Sequence, residues 1–164
     1  LRLYAHAAQG GALDGAGGAE RARLGEVATA LETAMPGAPH LQYLAGRLWA
    51  KLGDYERAIR DLQESVLAPD AQAFPLRHSE GLVFVLRATG RLADARAAAE
   101  KLHALALAKL KAGAWENGCT AERQAAQRPL TALFAGDFLG VLSEDKPPPE
   151  RLLSLIVWYF TQGL

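Results

Sequence analysis

From about residue 19 to residue 111, the stretches between successive helical periodicities are short and punctuated by Gly or Pro. Joints of this length leave consecutive helices only one economical arrangement, running antiparallel to their neighbours, and none of the gaps suits a strand. Leu24, Val27, Leu31 and Met35 recur at three- and four-residue steps, so a helix is expected over about 19–35 with those residues inward. Pro36-Gly37-Ala38-Pro39 stops it. A second helix is expected over about 40–51, with Leu41, Leu44, Leu48 and Leu52 as its buried stripe. Gly53-Asp54 turns the chain into a third, about 55–67, with Ile59, Leu62 and Val66 inward. Helices over about 76–89 and 92–111 follow on either side of Gly90. Two shorter ones fit about 120–135, where Pro129 is placed to kink or split the pattern, and 137–142. Ser143–Pro149 reads as a linker, and a terminal helix spans about 150–162.

Composition supports this reading. Ala and Leu make up about 60 of the 164 residues, whereas Ile occurs only at Ile59 and Ile156. Such a mixture loses little rotamer freedom in helices and lacks the β-branched residues that favour strands. Eighteen acids balance eighteen bases. A neutral, apolar-rich chain is neither disordered nor a general nucleic-acid binder, which carries a basic excess. The one cysteine, Cys119, excludes an internal disulfide framework and leans the reading towards the cytoplasm. Leu1–Gln9 lacks the basic start and apolar run of a signal peptide. The longest apolar run, Leu152–Phe160, is far short of the roughly 20 residues of a membrane span. The fold expected is therefore all-α: a single domain over 1–164 with about seven to nine helices in antiparallel hairpins.

Internal repetition sharpens this expectation. Leu41–Asp70 (LQYLAGRLWAKLGDYERAIRDLQESVLAPD) aligns with Leu76–Leu105 (LRHSEGLVFVLRATGRLADARAAAEKLHAL). In both, a helix ends at a Gly turn, Gly53 or Gly90. Tyr55 or Leu92 follows two residues on, and Ala58 or Ala95 three beyond that. Gly136-Asp137-Phe138 repeats the chemistry of Gly53-Asp54-Tyr55. The first stretch resembles a tetratricopeptide repeat. Gly46, Trp49, Gly53, Tyr55, Ala58 and Ser65 fall on that family's small, aromatic and turn positions, while Pro69 comes one residue early. The second stretch matches at Gly90 and Ala95, but Val83 replaces the small residue and Leu92 the aromatic. The resemblance covers 39–70 and 76–106, with degenerate helices over 1–36 and 113–142. It implies a right-handed α-α superhelix of helical hairpins with a concave groove. Gly46 and Ala58 would let paired helices approach closely, and Trp49 and Tyr55 would fill the space between them.

Signals for catalysis are poor. His6, His40, His78 and His103 show no metal-ligand spacing, and neither HExxH nor CxxC occurs. His103 sits among leucines and alanines and reads as a core or rim residue, and Cys119 as a small buried one. Gly10–Gly18 lacks the GK[ST] ending of a phosphate loop. Asp54/Glu56 and Glu144/Asp145 sit where helix caps are expected. No enzyme, metal or cofactor is inferred.

The resemblance instead directs attention to the groove, which the first helix of each repeat lines in that family. Carried onto this chain, the lining is His40, Tyr43, Arg47, Ala50 and Lys51, then Arg77, Glu80, Phe84, Arg87 and Ala88. Four fixed cations, one acid and two aromatics suit an acidic peptide or a terminal carboxylate. Arg47 stands where the family's carboxylate clamp uses Asn, so a chaperone-tail clamp is not implied. The resulting expectation is a non-catalytic scaffold for a protein or peptide partner. The alternatives are a homodimer or assembly module acting through the apolar terminal helix, with Trp158 and Phe160 at the interface, or the helical part of a larger regulatory protein.

Overall fold

A computed structural model describes residues 17–68, 75–111, 124–143, 145–147 and 152–162. The described residues form eight helices and no strand. They are α1 (Gly18–Ala34), α2 (Pro39–Leu52), α3 (Tyr55–Leu67), α4 (Pro75–Ala88), α5 (Leu92–Lys111), α6 (Gln127–Phe134), α7 (Phe138–Leu142) and α8 (Leu152–Gln162). The first part of the degenerate stretch 1–36, with most of Gly10–Gly18, and Cys119 lie outside the described residues. The chain divides into two compact units, one ending at Val85 and one beginning at Leu86, so α4 contributes to both.

One turn design recurs three times. Gly53, Gly90 and Gly136 have φ of +85°, +74° and +72°, which glycine adopts without a Cβ penalty. In each, the glycine N–H donates three residues back: Gly53 to Ala50, Gly90 to Arg87 and Gly136 to Leu133. The next N–H donates five residues back: Asp54 to Trp49, Arg91 to Leu86 and Asp137 to Ala132, at 2.9–3.0 Å. These paired bonds satisfy carbonyls left over at the end of the helix. The following helix is then capped. Asp54 accepts from the Arg57 N–H at 3.2 Å, and Asp137 from the Gly140 N–H at 2.9 Å. Asp54 thus takes the capping position expected of it.

In the first unit, α2 packs against both α1 and α3. A Cβ added to Gly46 would lie 2.8 Å from Leu62 Cγ and 3.1 Å from the Ala58 carbonyl oxygen, so the close approach expected at Gly46 is real. Leu62 is fully buried there. On α4, a Cβ at Gly81 would sit 3.2 Å from both Leu62 and Tyr43. The tight contact of α4 with the first hairpin is therefore made by Gly81. Val83, two residues on and fully buried, occupies a different side of that helix.

Three sequence expectations need correction. Tyr55 is 42% exposed, because it is the first residue of α3, beyond the last turn of α2. Met35, expected inward, lies just past the end of α1 and is exposed. The buried stripe of α2 is Tyr43, Ala45, Gly46, Leu48 and Trp49, with Leu41, Leu44 and Leu52 only partly covered. Helix α2 touches neighbours on two sides, so a wider sector is buried than a single leucine stripe describes.

In the second unit, α5 buries Ala95, Ala99, Leu102 and Ala106 and packs against α6, which in turn contacts α7. Pro129 is the third residue of α6 and has no N–H to give the Ala125 carbonyl, and the helical pattern is split just before it: residues 124–125 are helical, Ala126 is a turn and α6 begins at Gln127. His103 Nδ1 lies 2.7 Å from the Ala125 carbonyl oxygen and takes the structural role expected of it. An Arg96–Asp137 ion pair joins α5 to the cap of α7. Helix α8 packs against α6 and α7.

Candidate peptide-binding face

Apart from the two alanines, seven of the eight groove candidates belong to the first unit. His40, Tyr43, Arg47 and Lys51 come from α2, and Arg77, Glu80 and Phe84 from α4. At positions 40, 43, 47 and 51 the three- and four-residue spacing of a helix face holds along α2, so these residues form one row.

The row has a packed base and a charged end. Tyr43 is buried, with its ring centroid 4.7 Å from that of His78 and an interplanar angle of 23°. The exposed His40 ring lies 6.1 Å from Tyr43 and 6.0 Å from His78, again nearly parallel. Arg47 donates to the Tyr43 hydroxyl at 3.2 Å, and its guanidinium carbon is 5.7 Å from the ring centroid. That contact holds the guanidinium in place over an aromatic face. One turn further on, Lys51 is half-buried, and its pKa is lowered first by burial and then by the Arg47 charge. An anion seated beside the two cations would offset both effects. On α4, Phe84 is 59% exposed, Arg77 is exposed and Glu80 is partly covered.

His78 belongs to this cluster although nothing in its spacing marked it. A shift of 37 residues carries His40 onto Arg77, so the two histidines are one residue out of register. Only the packing of α4 on α2 brings them together. His78 is buried, with Nδ1 3.3 Å from the Ser65 carbonyl oxygen. Burial lowers its pKa, the Ser65 carbonyl works against that, and His40 adds a smaller lowering. His78 is therefore a neutral packing element at pH 7 rather than a cation for a ligand.

The remaining candidates belong to the second unit. Arg87 lies 4.6 Å over the Phe134 ring and 3.5 Å from Gln127 Oε1, and Phe134 is largely exposed. Phe134 was invisible to the repeat alignment, which stops at 106. The Gly136 turn was the available signal, since Phe134 stands as far before Gly136 as Lys51 does before Gly53. On α8, Trp158 is partly covered and meets Tyr159 edge-on at 5.2 Å, with Lys146 Nζ 5.6 Å from its ring. Phe160 is exposed, as are Ile156 and Tyr159.

Among the described residues no three His, Cys, Asp or Glu side chains are grouped to hold a metal ion, and no helix is long and apolar enough to cross a membrane. Comparison with family models, curated proteins and solved structures finds no match to this chain.

Proposed function

We propose that this protein is a non-catalytic scaffold of tetratricopeptide-like hairpins that binds an acidic protein segment along the α2–α4 face. The observation that carries this reading is the Arg47/Lys51 pair, two cations one helical turn apart with Arg47 held on the buried Tyr43 ring. Arg supplies a fork for a carboxylate, Lys a point charge, and the exposed Phe84 an apolar anchor on the neighbouring helix. The segment that fits is extended, with two or more acids and one large apolar side chain. The single cysteine suits a cytoplasmic setting for such a scaffold.

The test uses fluorescein-labelled acidic peptides, each carrying one Leu or Phe and a free C-terminal carboxylate, titrated against the chain by anisotropy. Each charge-assisted hydrogen bond is worth about 1.5–3 kcal/mol, so Arg47→Glu/Lys51→Glu is expected to weaken the best peptide about 100-fold or more. Far-UV circular dichroism of the variant should be unchanged, since both side chains reach solvent. Wild-type affinity should fall as salt rises, because partly exposed charges are screened. Equal affinity in wild type and variant rejects the assignment of this face.

A second reading, self-association through α8, rests on the exposed Ile156, Tyr159 and Phe160. Phe160 rather than Trp158 is its natural probe, since Trp158 is already partly covered. Sedimentation velocity at high concentration should then show a wild-type dimer that Phe160→Asp converts to monomer. A wild-type monomer at all concentrations removes this reading.

A further inference from the structure

Beyond its packing on α2, helix α1 reaches α3 through Glu32. One terminal nitrogen of Arg60 bridges Glu32 on α1 and Asp61 on α3, 2.7 Å from Glu32 Oε1 and 3.0 Å from Asp61 Oδ1. Asp61 is only 2% exposed. Its Oδ1 accepts two hydrogen bonds from Arg60, at 3.1 Å from Nε and 3.0 Å from a terminal nitrogen. No donor among the described residues reaches its Oδ2. Glu32 Oε1 accepts from Arg60 at 2.7 Å and from the Trp49 indole N–H at 2.9 Å. When both acids are ionised they offer each other only acceptors and like charge. A proton on Asp61 supplies the missing donor, removes one of the two charges and gives the buried oxygen a partner.

We propose that Glu32 and Asp61 share one proton and act as a latch, holding α1 on the first hairpin while the proton is bound and loosening it when the proton leaves. The surrounding charges make the latch asymmetric. From α3, Arg60 touches both acids and is 54% exposed, so water screens its help. Arg57 spends its charge over the Trp49 ring, 4.6 Å from the centroid, and on Asp54 at 3.4 Å. Glu64 acts on Arg60 and accepts from Gln42 of α2 at 2.7 Å. From α2 the group that faces Glu32 is the Trp49 indole.

Burial is the main cause that pushes Asp61 up to about 7, with Glu32 adding to it and Arg60 opposing it. With α1 released, Asp61 regains water and ionises nearer the ordinary carboxylate range of about 4. The docked state therefore binds more protons between about pH 4 and pH 7, and docking weakens as pH rises through that window.

Amide hydrogen exchange on the full chain, corrected for intrinsic rates, tests this. Protection of the α1 amides is expected to fall about tenfold between pH 6 and pH 8, while α5 amides hold steady. Asp61→Asn keeps the shape and a donor without a titrating proton, so its α1 protection should not vary with pH. Glu32→Gln keeps an acceptor for Trp49 but removes the like charge, and the fall should shrink and shift to lower pH. A wild-type chain with pH-independent α1 protection overturns the proposal. So does an unchanged fall in Asp61→Asn or, if that variant fails to fold, in Glu32→Gln.

Discussion

Trp49→Ala is expected to lower the unfolding free energy by about 3–5 kcal/mol, the range for deleting a buried aromatic. Trp49 is 7% exposed and occupies the junction of three helices. From α2 its indole donates to Glu32 of α1, and its ring carries the Arg57 guanidinium of α3. Gly25 of α1 lies against the same ring, with its virtual Cβ 3.9 Å away. The truncation therefore removes apolar area, a hydrogen bond to a carboxylate and a cation–π contact together. A domain of this size has only about 5–15 kcal/mol in total, so the loss should be evident as a lower urea midpoint. Trp49→Phe should recover most of the packing but leave Glu32 without its indole donor. A loss below about 1 kcal/mol for Trp49→Ala would show that α1 is not held through this residue.

Leu62→Ala should cost about 2–5 kcal/mol, towards the upper end of that range. The side chain is fully buried between two glycines, Gly46 and Gly81, which bring α2 and α4 onto it. Glycines carry no side chain that could swing into the space left behind. The backbones around it are held by helical hydrogen bonds, so collapse is limited and the cavity term stays large. Ile59→Val on the same helix is the control and should cost only about 0.5–1.5 kcal/mol. If the two variants were equally mild in urea unfolding at unchanged m-value, the glycine-lined contact would not be the keystone of this unit.

Much of the local structure was legible in the residues. The spans of α3 and α5 follow from periodicity, and the Gly-Asp turns from the left-handed conformation that glycine accepts and the cap that aspartate makes. The close approach at Gly46 was readable through the resemblance, which places Gly46 and Ala58 at small positions of paired helices. The reading failed where a position lies at the end of an element. Tyr55 and Met35 satisfy the spacing of an inward face, but spacing does not tell whether another helix extends far enough to cover them. The candidate face was legible in part. Arg47 and Lys51 fall on one row of α2 by helical geometry, whereas the arrival of His78 under His40 and against Tyr43 depends on the seating of α4.

The Glu32–Asp61 pair marks the same boundary. Their separation of 29 residues has no period that sequence could recognise. Nothing in the stretch Glu56–Glu64 marks one of its acids for burial, yet Asp61 is 2% exposed in the fold. Sequence alone determined the helices, their turns and caps, and which residues share a helix face, because these follow from backbone geometry over a few neighbouring positions. Tertiary structure alone decided which faces are covered, which rings stack and which charges lose water, because those depend on the distances between helices that are far apart in the chain.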